Sequence, residues 1–277
     1  MILTAYRPYC QLRPTRSRWL WATAILPSVV AGFHELLPAP STWKPPTNDL
    51  SKVLEQVGVK KIFFLRHGQT AKSETGVDFD RYLTDIGREQ SRIAGESFGK
   101  NTLLPFYPKV LVSPAPRTVE TAELFLKAAI GDDDSYQNNM NLVPIQDLYD
   151  KTMQPAGSKL FAKIGYAPLN AYLNACDEHD RAVARDLLGK YAGATIDAIH
   201  RTLSGDLQAA PLRSSTLLVV GHAIYLPAAV LGSASVLGTS SADDLQIVLF
   251  TNTKEAEGYM FNVASNEVDY LSRPTSV

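Results

Sequence analysis

The sequence contains little cysteine. Of its 277 residues only two, Cys10 and Cys176, are cysteines, and no CxxC pair or Cys/His spacing of the zinc-binding kind occurs. Two thiols this far apart do not form a disulfide framework. We therefore expect neither disulfide bridges nor a metal site, and no cofactor.

The chain also carries little net charge. Its formal charge is -1, with 20% charged and 45% apolar residues. A charge this close to zero argues against general nucleic-acid binding. The apolar share suffices for the core of one catalytic domain with an extension.

Acidic residues and a long uninterrupted apolar run are both missing from residues 1–34. The run from Trp19 to Phe33 is broken by Pro27 and is too short to indicate a membrane span with confidence. Four arginines precede or begin it: Arg7, Arg13, Arg16 and Arg18. This pattern is typical of an organelle presequence and predicts a mitochondrial location. Three alternatives stay open: a plastid presequence, a secretory signal or membrane anchor ending near Ala31, and a poorly ordered tail.

Prolines mark the end of this leader. Four of them lie in a polar linker: Pro38, Pro40, Pro45 and Pro46. Asp49 or Ser51 can cap a short helix that extends to Gln56. We expect residues 1–58 to be leader and linker, and residues 59–277 to form the folded domain.

Short apolar runs alternate with helical patterns through this domain. Buried strands are predicted at residues 61–65, 110–112 and 216–220, and helices at 84–99, 116–130 and 226–231. Such alternation indicates an α/β fold with a largely parallel sheet. Three later runs, at residues 245–251, 259–263 and 268–271, predict strands that pair antiparallel at one edge.

Each of the three buried runs ends in residues that suit phosphate chemistry. The first ends in Arg66-His67-Gly68, the second in Ser113 to Arg117, and the third in Gly221-His222. If the strands are parallel neighbours, these ends meet at one edge of the sheet, where ligands bind in α/β folds. Two arginines and two histidines would repel one another in an empty pocket. A phosphate dianion would relieve that repulsion through charge-assisted hydrogen bonds.

The set of motifs resembles the histidine phosphatase superfamily, with its phosphoglycerate mutase-like fold, over residues 60–272. The matching pieces are residues 66–70, 83–90, 113–117 with Thr121-Ala122, and Gly221-His222. The resemblance implies a three-layer α/β/α sandwich with a mostly parallel central sheet. It also implies that residues 151–205 are a helical insertion that caps the site.

The resemblance further implies a role for each residue at the site. His67 is expected to be the nucleophile, Arg66 and Arg117 to bind the phosphate, and His222 to bind it and stabilise the transition state. Neighbouring guanidinium charge favours neutral imidazole, which a nucleophile requires. For the general acid we favour Asp150, with Asp147 as the alternative.

These residues predict a metal-independent phosphatase that forms a phosphohistidine intermediate. Its substrate would be a phosphorylated small molecule or a phosphoprotein, including phosphohistidine. Two alternatives remain: a catalytically impaired phosphate-binding scaffold or adaptor, and a phosphoglycerate-type mutase. Membrane association through the N-terminus is a further expectation, and the sequence does not indicate an oligomeric state.

Overall fold

The computed structural model places the predicted strand ends on one sheet. The residues it describes are 50–98, 106–131, 141–149, 151–206, 216–238 and 241–274. The leader and most of the linker, residues 1–49, lie outside these ranges, as does Asp150. The mitochondrial location and the membrane association therefore stay predictions.

Six strands form a single sheet in the order β3-β2-β4-β1-β5-β6. They are β1 (Lys61–Arg66), β2 (Phe106–Val112), β3 (Asn141–Pro144), β4 (Thr216–Gly221), β5 (Gly258–Asn262) and β6 (Glu267–Leu271). Strands β1 to β4 pair in parallel, and β5 and β6 join antiparallel at one edge. The predicted sheet, mostly parallel with an antiparallel edge, is confirmed.

The helices lie on both faces of this sheet. They are α1 (Leu50–Val57), α2 (Asp85–Ala94), α3 (Pro116–Ile130), α4 (Gln154–Ile164), α5 (Leu169–Leu173), α6 (Glu178–Asp206), α7 (Tyr225–Leu237) and α8 (Ala242–Phe250). Two short 3-10 helices, Asp78–Asp80 and Gln146–Tyr149, lie in the loops. Among the described helices, none is both long and apolar enough to cross a membrane.

Side-chain alternation along β1 divides the core into two layers. Phe63 and Leu65 pack with the apolar residues of α2 and α3. Ile62 and Phe64 point to the opposite face and pack with α1, α6 and α7. A strand covered on both faces needs apolar residues at successive positions, which explains the unbroken run in β1. The predicted three-layer α/β/α sandwich is thereby confirmed.

Helix α1 belongs to the packed fold, although it precedes the predicted domain start at residue 59. Its apolar side chains are spaced three or four residues apart, so they share one face. All of them are buried in the core: Leu50, Val53, Leu54 and Val57. The ordered core thus extends to at least Leu50.

The strand predicted at residues 245–251 was wrong, because this segment is helix α8. Its β-branched and aromatic residues favour a strand, but the helix start is fixed by a capping box. The Ser241 side chain accepts a hydrogen bond from the Asp244 N–H, and the Asp244 carboxylate accepts one from the Ser241 N–H. These bonds satisfy helix N-terminal donors and outweigh the weak strand preference.

Two glycines let the loop after β1 lie directly on helix α2. A Cβ atom on Gly87 would lie 2.0 Å from the Gln69 carbonyl oxygen, and one on Gly68 would lie 2.4 Å from the Gly87 carbonyl oxygen. Only glycine permits backbones to approach this closely. The first motif is therefore held against the start of α2.

We expect Gly87→Ala to lower the free energy of unfolding by about 1–3 kcal/mol, because the added methyl forces the loop and helix apart. Urea denaturation measures the change. Gly205→Ala is the matched control, since its Cβ would meet no atom within 4 Å and alanine favours a helix. Equal stability of Gly87→Ala and wild type would contradict this close packing.

Candidate active site

The carboxyl ends of β1, β2 and β4 lie side by side, as the motifs predicted. Arg66 is in register with Gly221, and Val112 with Val220. The next residue along each strand therefore reaches the same edge of the sheet. The His67 N–H donates to the Gly221 carbonyl over 3.1 Å, and the Ser113 N–H to the Val220 carbonyl over 3.0 Å. These bonds align the three loops that carry the candidate site.

Arg66 and Arg117, the predicted phosphate ligands, are both buried in this site. Arg66 donates to the Thr253 carbonyl over 2.6 Å and to Glu255 Oε1 over 2.9 Å. Arg117, in the first turn of α3, donates to the carbonyl and the carboxylate of Asp78 over 2.6 and 2.7 Å. Within the described part of the chain, the Nε–H group of each arginine is buried without a hydrogen-bond partner. Two buried, partly unsatisfied guanidinium groups that line the same cleft are suited to binding an anion.

The tautomer of His67 is fixed by its own loop. Its Nδ1 atom lies 2.7 Å from the Gly68 carbonyl oxygen. A carbonyl oxygen can only accept, so Nδ1 carries the proton and Nε2 holds the lone pair. This tautomer is the one that a nucleophile needs, and His67 also lines the cleft.

His222 has the opposite tautomer. Its Nδ1 atom lies 3.3 Å from an Arg117 Nη2 atom, which can only donate, so Nδ1 accepts. Its Nε2–H group therefore donates to Ser113 Oγ over 2.8 Å. The rings of His222 and His67 are in edge contact, with centroids 5.3 Å apart. Ser113 thus orients His222.

Burial lowers the pKa of both histidines well below the usual value, and nearby positive charge lowers it further. For His67 the other contributors are His222, Arg117 and Arg66. For His222 they are Arg117, Arg66 and Arg81. Desolvation and like charge both disfavour imidazolium. Both rings are therefore neutral near pH 7 in the free site.

Thr121 connects the first two motifs behind the histidines. Its hydroxyl accepts a hydrogen bond from the Gly68 N–H over 3.1 Å and donates to the Arg117 carbonyl over 2.7 Å. It fixes the loop that carries His67 relative to the helix that carries Arg117.

Asp78 is a site residue that sequence reasoning missed. Its Oδ2 atom accepts hydrogen bonds from Arg117 and, over 3.0 Å, from the Tyr149 hydroxyl. Burial alone would raise the pKa of Asp78, but Arg117, Arg81 and Tyr149 outweigh it and lower the pKa. Asp78 lies between the first two matched motifs, residues 66–70 and 83–90, and belongs to neither, so the motifs did not point to it.

The two predicted general acids have different outcomes. Asp150 lies outside the described residues. Asp147 forms an exposed ion pair with Arg201, 2.8 Å apart, and does not line the cleft. Tyr149, which precedes Asp150 in the chain, contacts the His222 ring with centroids 5.5 Å apart.

Arg66, like Arg117, is paired with a carboxylate that the motifs did not predict. Glu255 pairs with Arg66 and accepts a hydrogen bond from the Tyr166 hydroxyl over 3.1 Å. Burial lowers the pKa of Arg66 to about 10, and Glu255 only partly opposes this effect. Glu255 follows helix α8, where the sequence indicated a strand, so its approach to Arg66 was hidden.

These residues surround a cleft of about 360 Å³, near the lower limit of small-molecule sites. His67, His222 and the two arginines line its floor, and helix α4 supplies much of one wall. Among the described residues there is no group of three or more His, Cys, Asp or Glu side chains that could hold a metal ion. The cleft is suited to an anion of phosphate size with a small group attached.

Comparison with protein families gives one match. The model of the histidine phosphatase superfamily (branch 1) matches residues 62–135, a span that includes His67 and Arg117 but not His222. The resemblance to this superfamily, predicted from the motifs, is confirmed. The match supports a phosphatase-type function without identifying the substrate.

Sequence comparison with curated proteins gave no match. Solved structures similar to this chain include ecdysone phosphate phosphatase from Bombix mori, at 17% identity and TM-score 0.48, covering 79% of this chain and 95% of that one. A phosphoglycerate mutase from Bacillus anthracis str. Sterne has 13% identity and TM-score 0.46, covering 79% and 94%. Phosphoserine phosphatase from Entamoeba histolytica has 13% identity and TM-score 0.44, covering 78% and 97%. Likenesses this distant assign no substrate.

Proposed function

We propose that this chain, which matches the histidine phosphatase superfamily over residues 62–135, is a metal-independent phosphatase that acts through a phosphohistidine on His67. Its substrate would be a phosphomonoester or a phosphoprotein. The grouping of two neutral histidines with two buried arginines at one sheet edge supports this proposal most strongly. Phosphoryl transfer needs positioning and charge neutralisation above all.

In the proposed first step, the Nε2 lone pair of His67 attacks phosphorus and the bond to the ester oxygen breaks. The leaving oxygen takes a proton from the general acid. In the second step that acid, now a base, takes a proton from water, whose oxygen attacks the phosphohistidine and releases inorganic phosphate. Arg66 and Arg117, which both line the cleft, neutralise the nonbridging oxygens in both steps.

We expect His67→Ala to lower turnover of 4-nitrophenyl phosphate by roughly 10³-fold or more, because the nucleophile is removed. His179→Ala is the matched control, since His179 is exposed on α6 and does not line the cleft. EDTA should leave wild-type activity unchanged. Circular dichroism checks that each variant folds.

Rapid quenching with labelled substrate separates this proposal from its alternatives. The proposal predicts acid-labile label on wild type, none on His67→Ala, and release of inorganic phosphate. Phosphate binding without labelled protein would favour a scaffold. Transfer of the phosphoryl group to product would favour a mutase. Turnover of His67→Ala at the wild-type rate would contradict the proposed nucleophile.

The proton donor remains Asp150 in this proposal. It is covalently next to Tyr149, whose ring contacts His222. Asp78, one of the two described carboxylates that line the cleft, has a lowered pKa and is therefore ionised in the free site, which does not suit a proton donor.

We expect Asp150→Asn to reduce hydrolysis of an alkyl phosphate by about 10²-fold or more, and that of 4-nitrophenyl phosphate far less. Nitrophenolate leaves without a proton, whereas an alkoxide requires one. Asp147→Asn is the control and should change neither rate, because Asp147 pairs with Arg201 away from the cleft. If Asp78→Asn shows the selective loss and Asp150→Asn does not, Asp78 is the donor instead.

A further inference from the structure

The wall of the cleft that faces the arginines carries two exposed aromatic rings. Phe161, on helix α4, is 38% exposed, and Tyr166, just after this helix, is 49% exposed. Both line the cleft. Their rings pack edge to face, with centroids 5.5 Å apart. Such a pair offers apolar surface and ring edges to a bound group.

Tyr166 is held in a fixed relation to the phosphate-binding floor. The Arg66 guanidinium lies over its ring, 4.5 Å from the centroid, and its hydroxyl donates to Glu255. In the proposed reaction Arg66 binds the phosphate oxygens. A group esterified to that phosphate therefore begins beside the Tyr166 ring.

The charges in the cleft do not favour a second anionic group. The described residues that line it include three arginines, two carboxylates and no lysine. Every one of these arginines already pairs with a carboxylate, Arg66 with Glu255 and both Arg81 and Arg117 with Asp78. With neutral histidines the net charge of these side chains is +1, so a single bound phosphate dianion makes the net charge of the cleft negative. A further phosphate or carboxylate on the substrate would be repelled.

We propose that the cleft selects small phosphomonoesters whose leaving group is uncharged and aromatic, with Phe161 and Tyr166 as the specificity-determining residues. This inference rests on the proposed phosphatase function and adds the substrate class. The rings favour an aromatic group by contact. Among the described residues that line the cleft, no arginine or lysine is left without a carboxylate partner to recognise the carboxylate of a glycerate phosphate.

The test compares kcat/KM for benzyl phosphate, butyl phosphate and 3-phosphoglycerate. Benzyl and butyl alcohols are both poor leaving groups, so their comparison reports binding of the ring and not leaving-group chemistry. We expect wild type to prefer benzyl over butyl phosphate by about 3- to 10-fold, and 3-phosphoglycerate to be the poorest of the three.

Variants assign that preference to the two rings. Phe161→Leu and Tyr166→Leu should lower the ratio of benzyl to butyl phosphate, because each keeps apolar volume and removes a ring. Tyr166→Phe should keep the ratio, because the ring remains. Tyr82→Leu is the matched control, since Tyr82 is 57% exposed but does not line the cleft, and it should change neither rate.

The outcomes distinguish this inference from the function on which it rests. Equal rates for benzyl and butyl phosphate, or a preference for 3-phosphoglycerate, would overturn the proposed substrate class. Turnover that depends on His67 would still support the proposed phosphatase function in that case. A ratio unchanged in both leucine variants would remove the assigned role of the rings. No turnover of any ester by folded wild type would overturn both proposals.

Discussion

Compensation of buried positive charge at the carboxyl edge of the sheet is the constraint on which the site depends. Arg66 and Arg117 are both buried, and an unpaired buried charge would be strongly destabilising. Glu255 and Asp78 pair with them. The pairing is incomplete, because both Nε–H groups lack a partner within the described residues. The two carboxylates thus compensate the arginine charges, while part of the hydrogen-bonding capacity of each guanidinium stays unused.

The floor of this site could be predicted from the sequence because it follows from local patterns. Each of β1, β2 and β4 contains a short apolar run that is buried in the sheet, so the strands were recognisable, and residues that follow parallel strands meet at one edge. That is why Arg66, His67, Arg117 and His222 were found as a set. No knowledge of the loops was required.

The two carboxylates that pair with the arginines, and the side of the cleft that helix α4 supplies, could not be predicted in the same way. Asp78 reaches Arg117 across 39 residues of sequence, and Glu255 reaches Arg66 across 189. Both are in loops, whose paths are not encoded by periodicity. The segment before Glu255 was taken for a strand because its composition favours one, and only the Ser241 cap reveals the helix.

The opposite tautomers of the two histidines have a consequence for ligand binding. His67 presents a lone pair at Nε2, whereas the His222 Nδ1 atom accepts from Arg117 and has no proton to donate. His222 can donate from Nδ1 to a phosphate oxygen only after it takes up a proton. A bound dianion would raise its pKa and favour that uptake.

Calorimetric titration with tungstate, a dianion of phosphate shape, tests this account most directly. Measured near pH 7 in buffers of different ionisation enthalpy, it gives the number of protons taken up on binding. We predict net uptake of up to one proton per tungstate, absent in His222→Gln. Binding without proton uptake would contradict the protonation of His222 on anion binding, and no binding by the folded protein would contradict a phosphate site at this sheet edge.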